Sequence, residues 1–202
     1  GNMTALHREA AAGVIGMLGA ERPSLERPSP ERRDQAASGT AVPGAYEAYL
    51  EGEGRLWHRS GAEGIGAAIG AFREAISADT VFARAHAGLC EGYWHRFTAT
   101  RDTQWVVAAT RHCERARRLD ETLAAAHANR GLILSGTGQP DAAVQAFERA
   151  RELRPDRPDL YAHLAGALAA NGQPRRAEST YESVVYRWPE YWVGSYHLGR
   201  FY

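Results

Sequence analysis

The sequence predicts an all-α protein: an α-α superhelix of about four stacked helical hairpins, preceded by a helix and a proline-rich linker. Three observations predict it. The stretches "GQPDAAVQAFERARELRP" (138–155) and "GQPRRAESTYESVVYRWP" (172–189) open and close alike and begin 34 residues apart. Small and apolar residues recur inside both at helical spacing. Each stretch also places Gly two residues before Pro, which marks a helix end followed by a helix start. Gly accepts the left-handed conformation that closes a helix, and Pro wastes no N–H at a first helical position. Self-similarity at such a period is the mark of stacked repeats, because one hairpin cannot bury its own apolar face.

The elements follow in order. Residues 1–20 are read as an amphipathic helix, with Leu6, Ala10, Val14 and Leu18 on one face. Residues 21–44, "ERPSLERPSPERRDQAASGTAVPG", carry four prolines and little apolar content and are read as a linker. Within it, Ser29-Pro30-Glu31 has the form of a helix start, with Ser as cap and Pro at the first position. Gly1 reads as a tag remnant, and the polypeptide is expected to be a piece of a longer protein.

Stacked hairpins are expected over 45–202, with units at about 45–82, 83–123, 124–157 and 158–191 and a half unit at 192–202. In the first, "AYEAYLEGEGRLW" pairs with a second helix carrying Ala68, Phe72 and Ala75. In the second, "FARAHAGLCEGY" supplies Leu89, Cys90 and Tyr93, and Ala109, Cys113 and Ala116 follow; Glu121 stands where later units have Pro. From Tyr93 to Ala109 is 16 residues, against nine from Leu134 to Ala143. At about 3.6 residues per turn the surplus is one added turn on each helix, which gives a projecting tip.

The third unit places Gly131, Leu134, Ala143, Phe147, Ala150 and Pro155 in sequence, and the fourth Tyr161, Leu164, Ala165, Leu168, Ala177, Tyr181, Val184 and Pro189. Another 34 residues beyond Leu164 lies Leu198, followed by Gly199 and Tyr202. Small residues at Gly131 and Ala143, or Ala165 and Ala177, let antiparallel helices approach closely. Phe147 and Tyr181 fill the space between neighbouring hairpins, and Pro155 and Pro189 stop the second helices.

This order of residues resembles the tetratricopeptide repeat family, whose pattern runs W-x2-L-G-x2-Y, A-x3-F, P. Arg130 departs from it at the Leu position, where its aliphatic stem lies on the apolar face and its guanidinium reaches water. The resemblance implies that the first helices line a concave groove that takes an extended peptide or a partner helix. A narrower likeness rests on "LHREAAAGVIGMLG", "SPERR", "AYEAYLEGEGRL" and "WPEYWVGSYHLGRFY". These resemble the carboxy-terminal region of large bacterial signalling proteins that join a Ser/Thr protein kinase, an adenylate cyclase or a winged-helix domain to such repeats. It implies that the first helix ends a preceding domain. The Gly-rich loop, H-R-D and D-F-G of a kinase do not occur, so any catalytic activity of a parent would lie elsewhere.

Composition narrows the functional classes. Basic and acidic residues balance at 24 each, so no bulk field favours nucleic acid. All 24 basic residues are Arg, which fits GC-rich codon usage; selection for anion binding would need them clustered on one surface. No apolar run reaches the ~18 residues that span a bilayer, so no membrane insertion is expected. Cytoplasmic placement is the expectation, with an extracytoplasmic one left open because parents of this type carry repeats on either side of a membrane.

The eight histidines include no i,i+4 pair and no H-E-x-x-H, so no metal, cofactor or catalytic residue is assigned. His86 and His127 occupy the large aromatic position and are read as packing residues. Cys90 and Cys113 are read as two small apolar residues facing each other across one hairpin, since a disulfide would need an oxidising compartment. Trp94, His95, Arg101 and Trp105 are read as sealing the lengthened hairpin, with a binding knob as the alternative.

The carboxylate-clamp positions of the family hold Ala87, Glu91, Ala128, Leu132, Ala162 and Gly166 here, which is no clamp. The expected partner is a protein or peptide, helical or apolar in character. The residues expected to meet it are Arg84, Glu91, Trp94, Leu132, Asp159, Gly166, Tyr196 and Arg200. Self-association through 192–202 is the second expectation, because that helix is dense in aromatics.

Overall fold

The protein was analysed as a computed structural model that describes residues 39–57 and 61–201. The helix expected at 1–20 and most of the linker lie outside the described residues. Among these, nine helices follow one another without a strand: α1 (Pro43–Trp57), α2 (Gly61–Ala78), α3 (Ala83–Thr100), α4 (Thr103–Leu119), α5 (Ala124–Gly136), α6 (Pro140–Leu153), α7 (Pro158–Ala170), α8 (Pro174–Arg187) and α9 (Trp192–Phe201). Helices α1 to α8 pair in order into four antiparallel hairpins, and α9 packs on the last. The stacked-hairpin architecture read from the 34-residue register is therefore the one observed.

The turns explain the shared letters. Gly138 and Gly172 have φ of +77° and +69°. In each case the next residue folds back onto the helix: Gln139 N–H donates to the Leu134 carbonyl and Gln173 N–H to the Leu168 carbonyl, both at 2.9 Å. This is a six-to-one helix closure, which needs the left-handed residue that Gly supplies. Pro140 and Pro174 then open α6 and α8. Those helices end at Leu153 and Arg187, and Arg154 and Trp188, before Pro155 and Pro189, leave the helical region, as steric conflict with the proline ring requires.

The second hairpin is longer, as its residue spacing foretells: α3 and α4 have 18 and 17 residues, against 13 and 14 in α5 and α6. Its turn is built differently. Arg101 takes the left-handed position at φ 59°, and Asp102 caps α4 by accepting the Gln104 N–H at 3.0 Å. Around it Trp105 stacks on Tyr93 with the Arg96 guanidinium above, and Trp94 leans on Phe97. These rings seal the extended pair.

A ring from each second helix normally wedges between first helices. Phe72 fits against Gly52 and Gly88, Phe147 against Gly131, and Tyr181 beside Gly166. Two of these rings also stack on a histidine of the next repeat: Phe147 on His163, and Tyr181 on His197. The second repeat is the exception. Cys113 occupies the ring position and Cys90 the small position, both are buried, and they are joined as a disulfide with Cα atoms 5.3 Å apart. This corrects the reading of two free thiols. They face each other as expected, but at a separation and direction that permit a covalent bond.

Candidate functional site

The candidate site is the inner face of the stack. Each first helix touches the first helix of the next repeat, in the order α1, α3, α5, α7, α9, while no comparable contact joins one second helix to the next. The first helices are thus on the tightly curved side, and a concave face runs along them. Three of them, α3, α5 and α7, share one recurring tether. His86 Nε2 lies 3.3 Å from the Thr80 carbonyl, His127 Nε2 3.0 Å from that of Glu121, and Tyr161 Oη donates to that of Pro155 at 3.2 Å. Every tether reaches six residues back to the loop that opens the helix. His86 and His127 are buried, as their aromatic position predicts.

The expected groove positions Ala87, Ala128, Ala162 and Gly166 are all small, and Ala87 packs inward against Ala116 and Ala126. Ala87 and Ala162 are buried and Gly166 is half-buried. A Cβ built on Gly166 meets only the Tyr181 hydroxyl, at 3.5 Å, so this position is open to a ligand. Leu132 rises between two core clusters and touches both.

Charges from several repeats act on one another along these helices. Glu53 is exposed, yet partial desolvation and then the Glu91 carboxylate raise its carboxyl above the usual range, while a hydrogen bond from Tyr49, Arg84 and Arg157 oppose the shift. Burial likewise raises the Tyr49 hydroxyl, with Glu53 beside it. His163 is solvent-reachable yet hemmed in, and desolvation holds its ring below the usual histidine range while Asp159 and Glu91 pull the other way. The Glu91 carboxylate on α3 therefore acts on the His163 ring on α7.

The structure places the sequence-predicted residues as follows. Arg84 is half-buried near Gly39, its charge within reach of Tyr49 and Glu53. Glu91 lies 3.5 Å from His95. Trp94 is buried, its ring packed on Gly136 and Phe97, so it offers a partner little surface. Asp159 accepts from two guanidinium nitrogens of Arg157, at 2.8 and 2.7 Å. Tyr196 is 52% exposed, with the Arg200 guanidinium 5.8 Å from its ring centre.

Tyr49, Glu53 and His163 were missed by sequence reasoning. The 34-residue register could have found His163, because His197 repeats it. Tyr49 and Glu53 lie on the helix that fits the pattern worst.

Two further features lie off this face. A cleft of about 260 Å³ opens between α4 and α5, lined in part by Val106, Cys113, Arg130, Ile133 and Thr137. His86 and His112 meet with their Nδ1 atoms 3.0 Å apart. Among the described residues, no three His, Cys, Asp or Glu gather to hold a metal, and no helix is long and apolar enough to cross a membrane.

Comparison with known proteins agrees with the fold. Residues 134–190 match the family model described as tetratricopeptide repeat. A thermophilic TPR protein of Thermus thermophilus superposes with a TM-score of 0.69 at 16% identity, over 85% of this chain and 86% of that one. YrrB, a TPR protein with an unusual peptide-binding site, gives 0.56 at 20% identity over 86% and 82%. The first TPR of Spaghetti (RPAP3), bound to the HSP90 peptide SRMEEVD, gives 0.54 at 16% identity over 66% and 98%. No curated protein sequence matches.

Proposed function

We propose that this chain of tetratricopeptide repeats is a non-enzymatic protein–protein interaction module. Its inner face docks an extended peptide or a helix, and it serves as the docking arm or scaffold of a larger bacterial signalling protein. One observation carries the docking reading: the first helices of successive repeats pack side by side into one inner face, on which Gly166 is half-buried with room beside its Cα and Leu132, Glu91 and His163 are not buried. A residue as small as Gly166 admits a ligand backbone closely, and isolated charges on the same face fix register more than affinity. The two neighbours whose names mention peptides support the same use. The signalling context rests on the sequence likeness of the quoted motifs.

The test is capture of partners from the source cells by the chain and by Gly166→Arg. The variant Cβ makes only an ordinary contact with the Tyr181 hydroxyl, so the fold should survive, as circular dichroism would verify. Loss of the partners that the parent captures is expected; an unchanged set would refute docking on this face.

A second reading, homo-oligomerisation through α9, is favoured by the exposure of Trp192 (70%) and Tyr196 (52%) on one helix face. Light scattering at rising concentration tests it: a dimer that Trp192→Glu dissociates is expected, and a monomer throughout would refute it.

A further inference from the structure

The second repeat departs from its neighbours at two positions together, and the departure is coupled. In the other repeats a large ring faces a small first-helix residue; a Cβ on Gly131 would stand 2.6 Å from the Phe147 ring. Cys90 in the small position could not coexist with a phenyl ring opposite it. Cys113 opposite a glycine would leave a hole. As a bonded pair the two fit, and both are sealed from water, at 0% and 2% exposure. They fill less volume than the absent ring, and the cleft between α4 and α5 opens beside Cys113 where that volume is lacking. The covalent tie stands in for the burial that a ring supplies elsewhere.

Sealed sulfurs also constrain when the bond forms. Once α3 and α4 have packed, Cys90 is 0% and Cys113 2% exposed, the latter at the wall of the cleft, so a protein oxidant has no room to engage either sulfur. The exchange must occur while the hairpin is still open, in the compartment where the chain folds. There Cys90 or Cys113, as thiolate, attacks the disulfide of a donor oxidoreductase, and the second cysteine displaces the donor from the mixed disulfide. Two thiols become one disulfide, the donor disulfide becomes two thiols, and both protons end on the donor's sulfurs. Thiol-reducing buffers of a bacterial cytosol oppose this exchange, whereas an oxidising compartment drives it.

We infer that Cys90 and Cys113 form a structural disulfide during folding, and that this chain therefore folds and works in an oxidising compartment, outside the cytosol. On this inference the partner on the concave face is met there too.

The test is the thiol state of the chain in its source cells. Cells are quenched in acid, free thiols are blocked with N-ethylmaleimide, and the intact mass of the chain is measured before and after reduction and a second blocking. No adduct before reduction and two after are expected. Two adducts before reduction would overturn the inference. So would a bonded chain recovered only when cells are lysed without acid, since the bond would then have formed in the extract. As a second readout, folded protein under native conditions should resist dithiothreitol, and should gain two adducts when the reductant is given with urea; ready reduction of the native fold would contradict the sealing argument.

Discussion

Gly88→Ala is the sharpest test of the packing rule that builds this stack. A Cβ at Gly88 would lie 2.5 Å from the Phe72 ring, and one at Gly52 would lie 2.6 Å from the same ring. The fully buried ring is thus held between two first-helix backbones, and retreat from Gly88 drives it into Gly52. Relief requires α1 and α3 to part. Overpacking of this kind costs about 1–3 kcal/mol, and the confined ring argues for the upper part of that range. Alanine returns up to ~1 kcal/mol as the better helix former. The net expectation is a loss of about 1–2 kcal/mol.

Urea unfolding followed by far-ultraviolet circular dichroism measures it. The control is Gly70→Ala on α2, where a Cβ meets nothing within 4 Å, so only the gain of up to ~1 kcal/mol remains. In the double variant, Phe72→Leu should recover part of the Gly88→Ala loss, a coupling that a cycle isolates. A Gly88→Ala protein as stable as its parent would refute the ring-on-glycine account.

Two further predictions concern the second repeat. The disulfide closes a loop across a sequence separation of 23, for which chain entropy gives about 3 kcal/mol. Cys90→Ala with Cys113→Ala should lose a comparable amount in urea, and the loss should vanish when both proteins are compared in reductant. The His86–His112 pair predicts a pH dependence. His86 Nε2–H donates to the Thr80 carbonyl, which leaves its Nδ1 to accept from His112 Nδ1–H. Burial first, then His86, Arg111 and Arg73, hold the His112 ring at about 4; burial and Arg115 also lower His86, against the pull of Thr80. A lowered folded value means that the unfolded chain takes up the proton first. Stability is therefore complete above about 6.5 and is lost as pH falls from there towards about 4. Denaturation midpoints for the parent and His112→Gln across this window test it: the variant should show the shallower slope, and equal slopes would refute the assignment.

Much of this fold was legible from residues alone because its signals are local. Gly138 and Gly172 announce a left-handed helix end, Pro140 and Pro174 a helix start, and Phe147 and Tyr181 recur at the period of the hairpin. The surplus between Tyr93 and Ala109 likewise foretold the longer α3 and α4. Each such feature is a matter of backbone geometry within a few residues, or of a period, and both are written along the chain.

The rest is set by distances between residues far apart in sequence. That Trp94 turns inward onto Gly136, away from a partner, depends on how closely α3 meets α5. The meeting of His86 with His112, and the shared field of Glu53, Glu91 and His163, arise only when helices from different repeats face one another. The two cysteines show the division most plainly. Their positions in the repeat were evident from the sequence, and so was the fact that they oppose each other. Whether they pack as thiols or join as a disulfide turned on a Cα separation of 5.3 Å and on the direction of two side chains, which only the packed hairpin decides.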